Sequence, residues 1–274
     1  MLKSIVFATL SVPALLAAAF SQSQPQQQDL MAVISSETAT DVCQSTFTTG
    51  SGPTLLKFCV TMNGNITEFQ SPAGVEHIRE GGYLEGYGIC DFSNLNRYYD
   101  WADGGDSGNW LAPVRTQPGG PNTFPLKIVR TTSDGIFTLT QVFSEIANEQ
   151  LVKIAMTLKN DTAVARDYAL VRYADIDANN ADGGDFKNEF DFDHQSAWGY
   201  NPGFNTHGLM LYSSPTSQGH FAFVQNTPNP PDPCSPVANL PATPYFGDGS
   251  AGHDWNGTLG PGKSVTVTAE YKRF

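Results

Sequence analysis

The chain has 274 residues, of which 15 are basic and 27 are acidic, so its formal net charge is -12 at pH 7. A surface of this sign repels phosphate backbones and anionic headgroups, which excludes nucleic acid and acidic membranes as favoured partners. Hydrophobic residues make up 40% of the chain and charged residues 15%, a composition compatible with a sizeable folded core.

The first twenty residues have the pattern of a secretory signal peptide. Lys3 gives a short basic start, an apolar run extends from Ile5 to Ala19, and Ala17, Ala18 and Ala19 offer a small-residue cleavage site. The apolar run is about fifteen residues, which is shorter than the roughly 20 that cross a bilayer. The sequence therefore predicts a secreted protein, extracellular or periplasmic, without membrane insertion after removal of the signal.

The rest of the chain is predicted to hold one domain. Residues 21–30 are polar and rich in glutamine, which is typical of a flexible spacer. No second linker divides residues 31–274, and an all-β sandwich can reach this length as a single domain. We therefore expect a signal peptide at 1–20, a spacer at 21–30 and one β-sandwich domain at 31–274.

Four cysteines follow the leader, and they lack the CxxC spacing and the tight Cys/His grouping of metal sites. In an oxidising compartment they predict two disulfides, for which three pairings are open. We favour Cys43 with Cys59, which would link a hairpin, and Cys90 with Cys234, which would tie distant loops.

Apolar and polar residues alternate along much of the chain, which is the pattern of strands with one buried face. In residues 151–158, for example, Val152, Ile154 and Met156 share one side. Similar runs predict strands at 55–62, 66–69, 127–131, 136–143, 168–174, 208–212, 220–224 and 264–271.

The segments between these runs contain most of the 26 glycines and 18 prolines, and the longest such segments include residues 91–125 and 226–256. In these two stretches Gly, Pro, Asn and Asp together are the dominant residue types, which indicates turns and long loops. The fold class that we predict is all-β: a large antiparallel β-sandwich with long Gly/Pro/Asp-rich loops and little helix apart from the signal peptide.

An acidic segment directly after the strand at 168–174 is the best metal candidate in the sequence. Its oxygen-bearing residues, separated by small residues, are Asp175, Asp177, Asn179, Asp182 and Asp185. Ca²⁺ takes six to eight hard oxygen ligands at flexible distances, so alternating carboxylates can wrap one ion. We therefore predict calcium there. A solvated loop of Asx-turns stays open as the alternative, since Asp and Asn hydrogen-bond their own backbone.

The start of this segment resembles an EF-hand loop, but the match fails. Asn180 stands where the turn glycine should be, Phe186 replaces the bidentate glutamate, and no helical pattern flanks the loop. The pentapeptide Ala-Asp-Gly-Gly-Asp at 181–185 recurs at 102–106. The two copies would share an ion or mark a duplicated hairpin, unless the repeat is a coincidence of composition.

His194 is the histidine closest to this segment, and Asp191 and Asp193 flank it. A histidine paired with a carboxylate can abstract a proton from a uronic acid or activate water. The alternative is a surface histidine held by a neighbouring aspartate.

All four tryptophans lie in surroundings rich in glycine, aspartate or asparagine, and they are Trp101, Trp110, Trp198 and Trp255. An indole ring covers the apolar side of a pyranose while polar neighbours bind its hydroxyls, so these residues predict a glycan-binding face. Packing of large loops by the same rings is the alternative.

Two short motif matches are rejected on context. Residues 105–108, Gly-Asp-Ser-Gly, resemble the nucleophile region of chymotrypsin-like proteases, but the only upstream histidine, His77, leaves no room for a first barrel. Residues 257–264 fit the P-loop expression, but a strand follows where a phosphate-binding helix is required. The second match therefore predicts a turn into the last strand.

The sequence is compatible with three functions. The first is a secreted β-sandwich that binds a glycan or cell-surface ligand and is stabilised by calcium. The second is a polysaccharide-active lyase or hydrolase in which His194 works with Asp191 or Asp193. The third is a structural envelope or matrix component without a small ligand.

Overall fold

The structure is a computed structural model, and it describes residues 42–78, 85–146, 149–178, 187–190, 195–202, 207–225, 230–236 and 245–274. The signal peptide and spacer lie outside these residues and stay predictions. Within the described ranges the chain forms eighteen β-strands and a 3-10 turn at Gly52–Thr54. Neighbouring strands pair antiparallel throughout, so the all-β prediction is confirmed.

Three sheets are present among the described residues. The small one contains β1 (Cys43–Thr49), β2 (Leu56–Thr61) and β3 (Ile66–Gln70). The nine-stranded sheet has the order β16 (Tyr245–Phe246), β12 (Lys187–Phe190), β13 (Ser196–Tyr200), β14 (Gly208–Ser213), β18 (Ser264–Arg273), β10 (Leu151–Asn160), β9 (Phe137–Glu145), β8 (Leu126–Thr131) and β7 (Val114–Thr116). The six-stranded sheet has the order β15 (Gly219–Gln225), β17 (Ser250–Leu259), β11 (Arg166–Asp175), β4 (Glu85–Asp91), β5 (Asn96–Trp101) and β6 (Gly105–Asp106).

The two large sheets pack face to face and share one hydrophobic core. Leu170 and Trp255 of the six-stranded sheet belong to the same buried cluster as Ile154 and Tyr271 of the nine-stranded sheet. In β9, and in β10 from Val152 onward, every second residue is buried, because these strands keep one face toward solvent. The alternation predicted for 151–158 therefore marks a half-buried strand, as expected.

The six-stranded sheet is different because both of its faces are covered. The strands β4, β11 and β17 each contain a continuous run of buried residues. On the face away from the core, Pro233 packs so close to Gly88 that a Cβ there would lie 3.0 Å from the proline Cβ. The disulfide between Cys90 and Cys234 holds residues 230–236 against this outer face.

Both predicted disulfides are confirmed. Cys43 pairs with Cys59 across β1 and β2, with Cα atoms 5.6 Å apart, and Cys90 pairs with Cys234, with Cα atoms 4.9 Å apart. Paired cysteines of this kind are typical of proteins in oxidising, extracellular environments. Among the described residues, no helix is long and apolar enough to cross a membrane.

Candidate functional site

Three carboxylates meet at the end of β11. Asp175 is the last residue of that strand, Asp177 follows two residues later, and both side chains are buried. Because β17 runs antiparallel to β11 and pairs Ser250 with Asp175, the chain just before β17 brings Asp248 to the same place. One oxygen from each aspartate lies within 4.8 Å of the others.

This spacing fits one calcium ion, since Ca–O distances of about 2.3–2.6 Å allow ligand oxygens up to roughly 5 Å apart. The other predicted ligands, Asn179, Asp182 and Asp185, lie outside the described residues. Asp248 was missed from the sequence because only strand pairing brings it to Asp175. Asp248 lies between two glycines in the sequence, which is compatible with a metal-binding loop but equally typical of a turn.

The predicted catalytic group, His194 with Asp191 and Asp193, also lies outside the described residues. The repeated pentapeptide is described only in its first copy, 102–106, where Asp106 accepts a hydrogen bond from Arg130 at 2.9 Å. The P-loop match at 257–264 forms the turn between β17 and β18, as predicted, with the Lys263 amide donating to the Gly260 carbonyl at 3.1 Å.

The four tryptophans do not form one surface. Trp110 and Trp255 are buried within the core, where their Nε1 atoms donate to the Tyr99 carbonyl at 3.1 Å and to Ser213 Oγ at 3.0 Å. Trp101 lies on the outer face of the six-stranded sheet and stacks on Tyr99 with ring centroids 5.6 Å apart. These three rings therefore match the packing alternative more closely than a shared glycan platform.

Trp198 is the tryptophan with a half-exposed position on a sheet face. It lies on β13, and strand register places Met210 of β14 beside it, then Lys272 of β18 and Leu151 of β10. These residues occupy the outer face of the nine-stranded sheet, because the alternate positions in the same strands are buried in the core.

A groove of about 350 Å³ runs along this face. Its floor combines the apolar side chains of Leu151 and Met210 with the ring of Tyr212. Glu270 lies directly opposite Tyr212 in the strand register, and Lys272 Nζ lies 3.8 Å from a Glu149 carboxylate oxygen. The groove thus offers apolar surface, an aromatic ring, and both donors and acceptors of hydrogen bonds.

Asp254 on β17 is an unusual carboxylic acid. It is 5% exposed, Asn256 Nδ2 donates to its Oδ2 at 3.4 Å, and its Oδ1 has no hydrogen-bond partner in the described part of the chain. Burial raises the pKa of Asp254 to about 6, and the Asn256 contact offsets this only in part. Near neutral pH this side chain therefore carries a costly buried charge.

Replacing Asp254 with asparagine is expected to remove a pH-dependent destabilisation. Because the folded-state pKa is raised, the proton stabilises the fold fully below the unfolded pKa near 3.8, and that stability is lost as pH rises through about 6. The variant should therefore gain about 2 kcal/mol relative to the parent between pH 4.5 and pH 8. Urea denaturation at both pH values measures the gain.

The matched control for this experiment is Asp167→Asn, which removes an exposed carboxylate from the neighbouring strand. It should lack the gain that is expected for Asp254→Asn, because an exposed carboxylate is not removed from water by folding. The free energy of unfolding of the parent and of Asp254→Asn could instead differ by a constant amount from pH 4.5 to 8. That result would show that Asp254 is not a buried acid with a raised pKa.

The sequence matches no known family model and no curated protein. The fold is similar to part of a bacterial glucoamylase in complex with acarbose, with a TM-score of 0.57 and 11% identity over 85% of this chain and 32% of the glucoamylase. Heparan sulfate lyase HepC from Pedobacter heparinus gives a TM-score of 0.49 and 9% identity over 85% of this chain and 35% of the lyase.

A putative aldose 1-epimerase from Escherichia coli K12 gives a TM-score of 0.45 and 11% identity over 84% of this chain and 99% of the epimerase. The chain spans about a third of the length of the glucoamylase and the lyase. At 11% identity the likeness to the glucoamylase shows a common β-sandwich fold.

Proposed function

We propose that this protein is a secreted carbohydrate-binding protein whose ligand lies in the groove on the outer face of the nine-stranded sheet. The row formed by Trp198, Met210 and Lys272 across three adjacent strands carries the proposal. An aromatic ring at the edge of a shallow groove can cover the apolar face of a pyranose, while the charged groups bind hydroxyls. The fold shared with part of a glucoamylase makes carbohydrate the first ligand class to test.

The charge of the groove favours a neutral glycan. Among its described lining residues, Glu149 and Glu270 are acidic and Lys272 is basic, and the Lys272 ammonium group already faces Glu149. The whole chain also has a negative formal net charge, -12. Sulfated or uronic polymers would meet repulsion both at long range and in contact, whereas neutral hydroxyls accept and donate hydrogen bonds to the same groups.

Trp198→Ala is expected to weaken glycan binding at least tenfold, because truncation removes the indole ring from the position on β13 that pairs with Met210 of the groove. Affinity electrophoresis in gels containing neutral polysaccharides, followed by a glycan array, measures the change. Tyr99→Ala is the matched control, since Tyr99 is a half-buried aromatic residue on the other large sheet. A parent protein that is retarded by no neutral glycan would refute the proposal and favour a structural role.

We further propose that a calcium ion held by Asp175, Asp177 and Asp248 stabilises the fold at the end of β11, where that strand pairs with β17. With free calcium at about 100 times the dissociation constant, the ion would contribute about 2.7 kcal/mol. For a domain of this size that corresponds to a rise of roughly 5–10 °C in the melting midpoint. Melting curves in calcium and in EDTA should differ by this amount.

Asp248→Asn should abolish the difference between calcium and EDTA. Asp103→Asn is the control, because Asp103 is an exposed aspartate in the other copy of the repeated pentapeptide. Coincident melting curves for the parent protein with and without EDTA would end the calcium hypothesis.

A further inference from the structure

A second, smaller cavity lies where the chain passes from one large sheet to the other. It has a volume of about 220 Å³ and is formed where β14 ends, along the connection 214–218, and at the start of β15. A cavity of this volume is below the size that holds a drug-like ligand, so its occupant is a small molecule or a single residue of a larger one.

The lining of this cavity restricts the chemistry of the ligand. It consists of serine and threonine hydroxyls, two glutamine amides, one imidazole and one proline, and among the described residues it contains no Asp, Glu, Lys or Arg. An ion would therefore find no opposite charge among these lining residues, and an apolar molecule would displace water from polar groups without replacing its hydrogen bonds. A neutral molecule with many hydroxyls matches this lining.

The polar groups are held in place by the surrounding protein. Ser214 Oγ donates to Glu270 Oε1 at 3.0 Å, and Thr216 Oγ1 accepts from the backbone N–H of Gln218 at 3.2 Å. Gln218 Oε1 accepts from the Tyr168 hydroxyl at 3.0 Å. Groups that are already ordered lose little conformational entropy when a ligand binds, so even a small ligand can gain affinity from them.

His220 lines the cavity, and it is paired with His253, which is buried behind it. His220 Nε2 lies 3.0 Å from His253 Nδ1, and both rings stack on Trp255, with centroids 5.7 and 5.4 Å from the indole. A hydrogen bond between two imidazole nitrogens contains one proton. When His220 donates it, the Nδ1 atom of a neutral His220 is an acceptor; when His253 donates it, that same Nδ1 atom is a donor. A hydroxyl can pair with either form.

We propose that this cavity is a binding site for one neutral polyhydroxyl group of the size of a single sugar ring, with His220 as a recognition residue. The cavity adjoins the groove through the Ser214–Glu270 hydrogen bond, but its walls are separate. Binding of a monosaccharide in the cavity therefore does not depend on glycan binding in the groove.

The test uses saturation-transfer NMR of the full chain with D-glucose, D-galactose and D-mannose, and with D-glucuronate and D-glucosamine as charged counterparts. At least one neutral hexose should bind, and its charged counterparts should bind at least tenfold more weakly. His220→Phe, which keeps a ring against Trp255, and Thr216→Val should each weaken hexose binding at least tenfold. Tyr212→Ala, in the groove, should leave it unchanged.

The proposal is overturned if no neutral hexose binds the parent protein, if glucuronate binds as well as the tightest-binding neutral hexose, or if both cavity variants bind like the parent. Loss of hexose binding in Tyr212→Ala alone would move the ligand to the groove and also overturn it. Hexose binding that persists while neutral polysaccharides fail to bind would instead refute the glycan-binding role of the groove.

Discussion

Replacing both Cys90 and Cys234 with alanine is expected to lower the free energy of unfolding by about 5 kcal/mol, judged from the entropy of the closed loop. The bond joins residues 144 positions apart, so its loss greatly expands the unfolded ensemble. It also releases residues 230–236 from the outer face of the six-stranded sheet, where Pro233 packs on Gly88. Guanidinium denaturation of the parent and the variant measures the loss.

The second disulfide provides the control for this prediction. Cys43 and Cys59 are separated by 16 positions, so the same argument predicts a cost of only about 3 kcal/mol for their replacement by alanine. Hydrogen exchange adds a local readout, because β4 should lose protection only when Cys90 and Cys234 are replaced. A cost for the short loop that equals or exceeds that for the long loop would contradict the entropic argument.

Replacing Glu85 with glutamine is expected to lower stability by about 3–5 kcal/mol, because it leaves the guanidinium of Arg172 buried without its counter-charge. Both side chains are fully buried between the sheets, and Arg172 Nη2 lies 2.6 Å from Glu85 Oε1. The Tyr271 hydroxyl donates to the same carboxylate, and Gln141 Oε1 accepts from Arg172 at 2.5 Å. Urea denaturation measures the loss.

The physical basis of this prediction is the charge on Arg172. Burial lowers the pKa of its guanidinium, but the Glu85 carboxylate and the hydrogen-bonded Tyr271 together outweigh burial and hold that pKa above the usual value. A guanidinium is not deprotonated in proteins, so Arg172 keeps its charge in the core when Glu85 is replaced. Removing the arginine as well should recover part of the stability, so the double variant with Arg172→Met is expected to cost less than Glu85→Gln alone.

Arg97→Met is the matched control, because Arg97 forms an ion pair with Asp232 in which both side chains are 43% exposed. Solvent screens such a pair, so its loss should cost at most about 1 kcal/mol. If Arg97→Met and Glu85→Gln lowered the free energy of unfolding equally, Arg172 would not be left as an uncompensated buried charge in Glu85→Gln.

Local patterning was sufficient to identify most of the sandwich. The strands predicted at 55–62, 151–158 and 264–271 correspond to β2, β10 and β18, because alternation of apolar and polar residues is itself the property that gives a strand one buried face. The alternation of apolar and polar residues did not predict the strands β4 and β17. Both faces of these strands are buried, so alternation is absent and glycine and aspartate in them look like loop residues.

The candidate sites divide in the same way. Asp175 and Asp177 could be located from the sequence, because they directly follow a recognisable strand, and context alone showed that the P-loop match was a turn. The sequence could not show that Trp255 is a core residue, since an indole suits a sugar and a core equally well.

Tertiary structure alone decided which distant residues meet. Asp248 reaches Asp175 because β17 pairs with β11, and His253 reaches His220 because β17 also pairs with β15. The groove beside Trp198 exists because β14 and β18 lie next to each other in the sheet. A residue's own neighbours in sequence determine whether it forms a strand, but sheet order depends on the packing of the whole core, and so do the sites that it assembles.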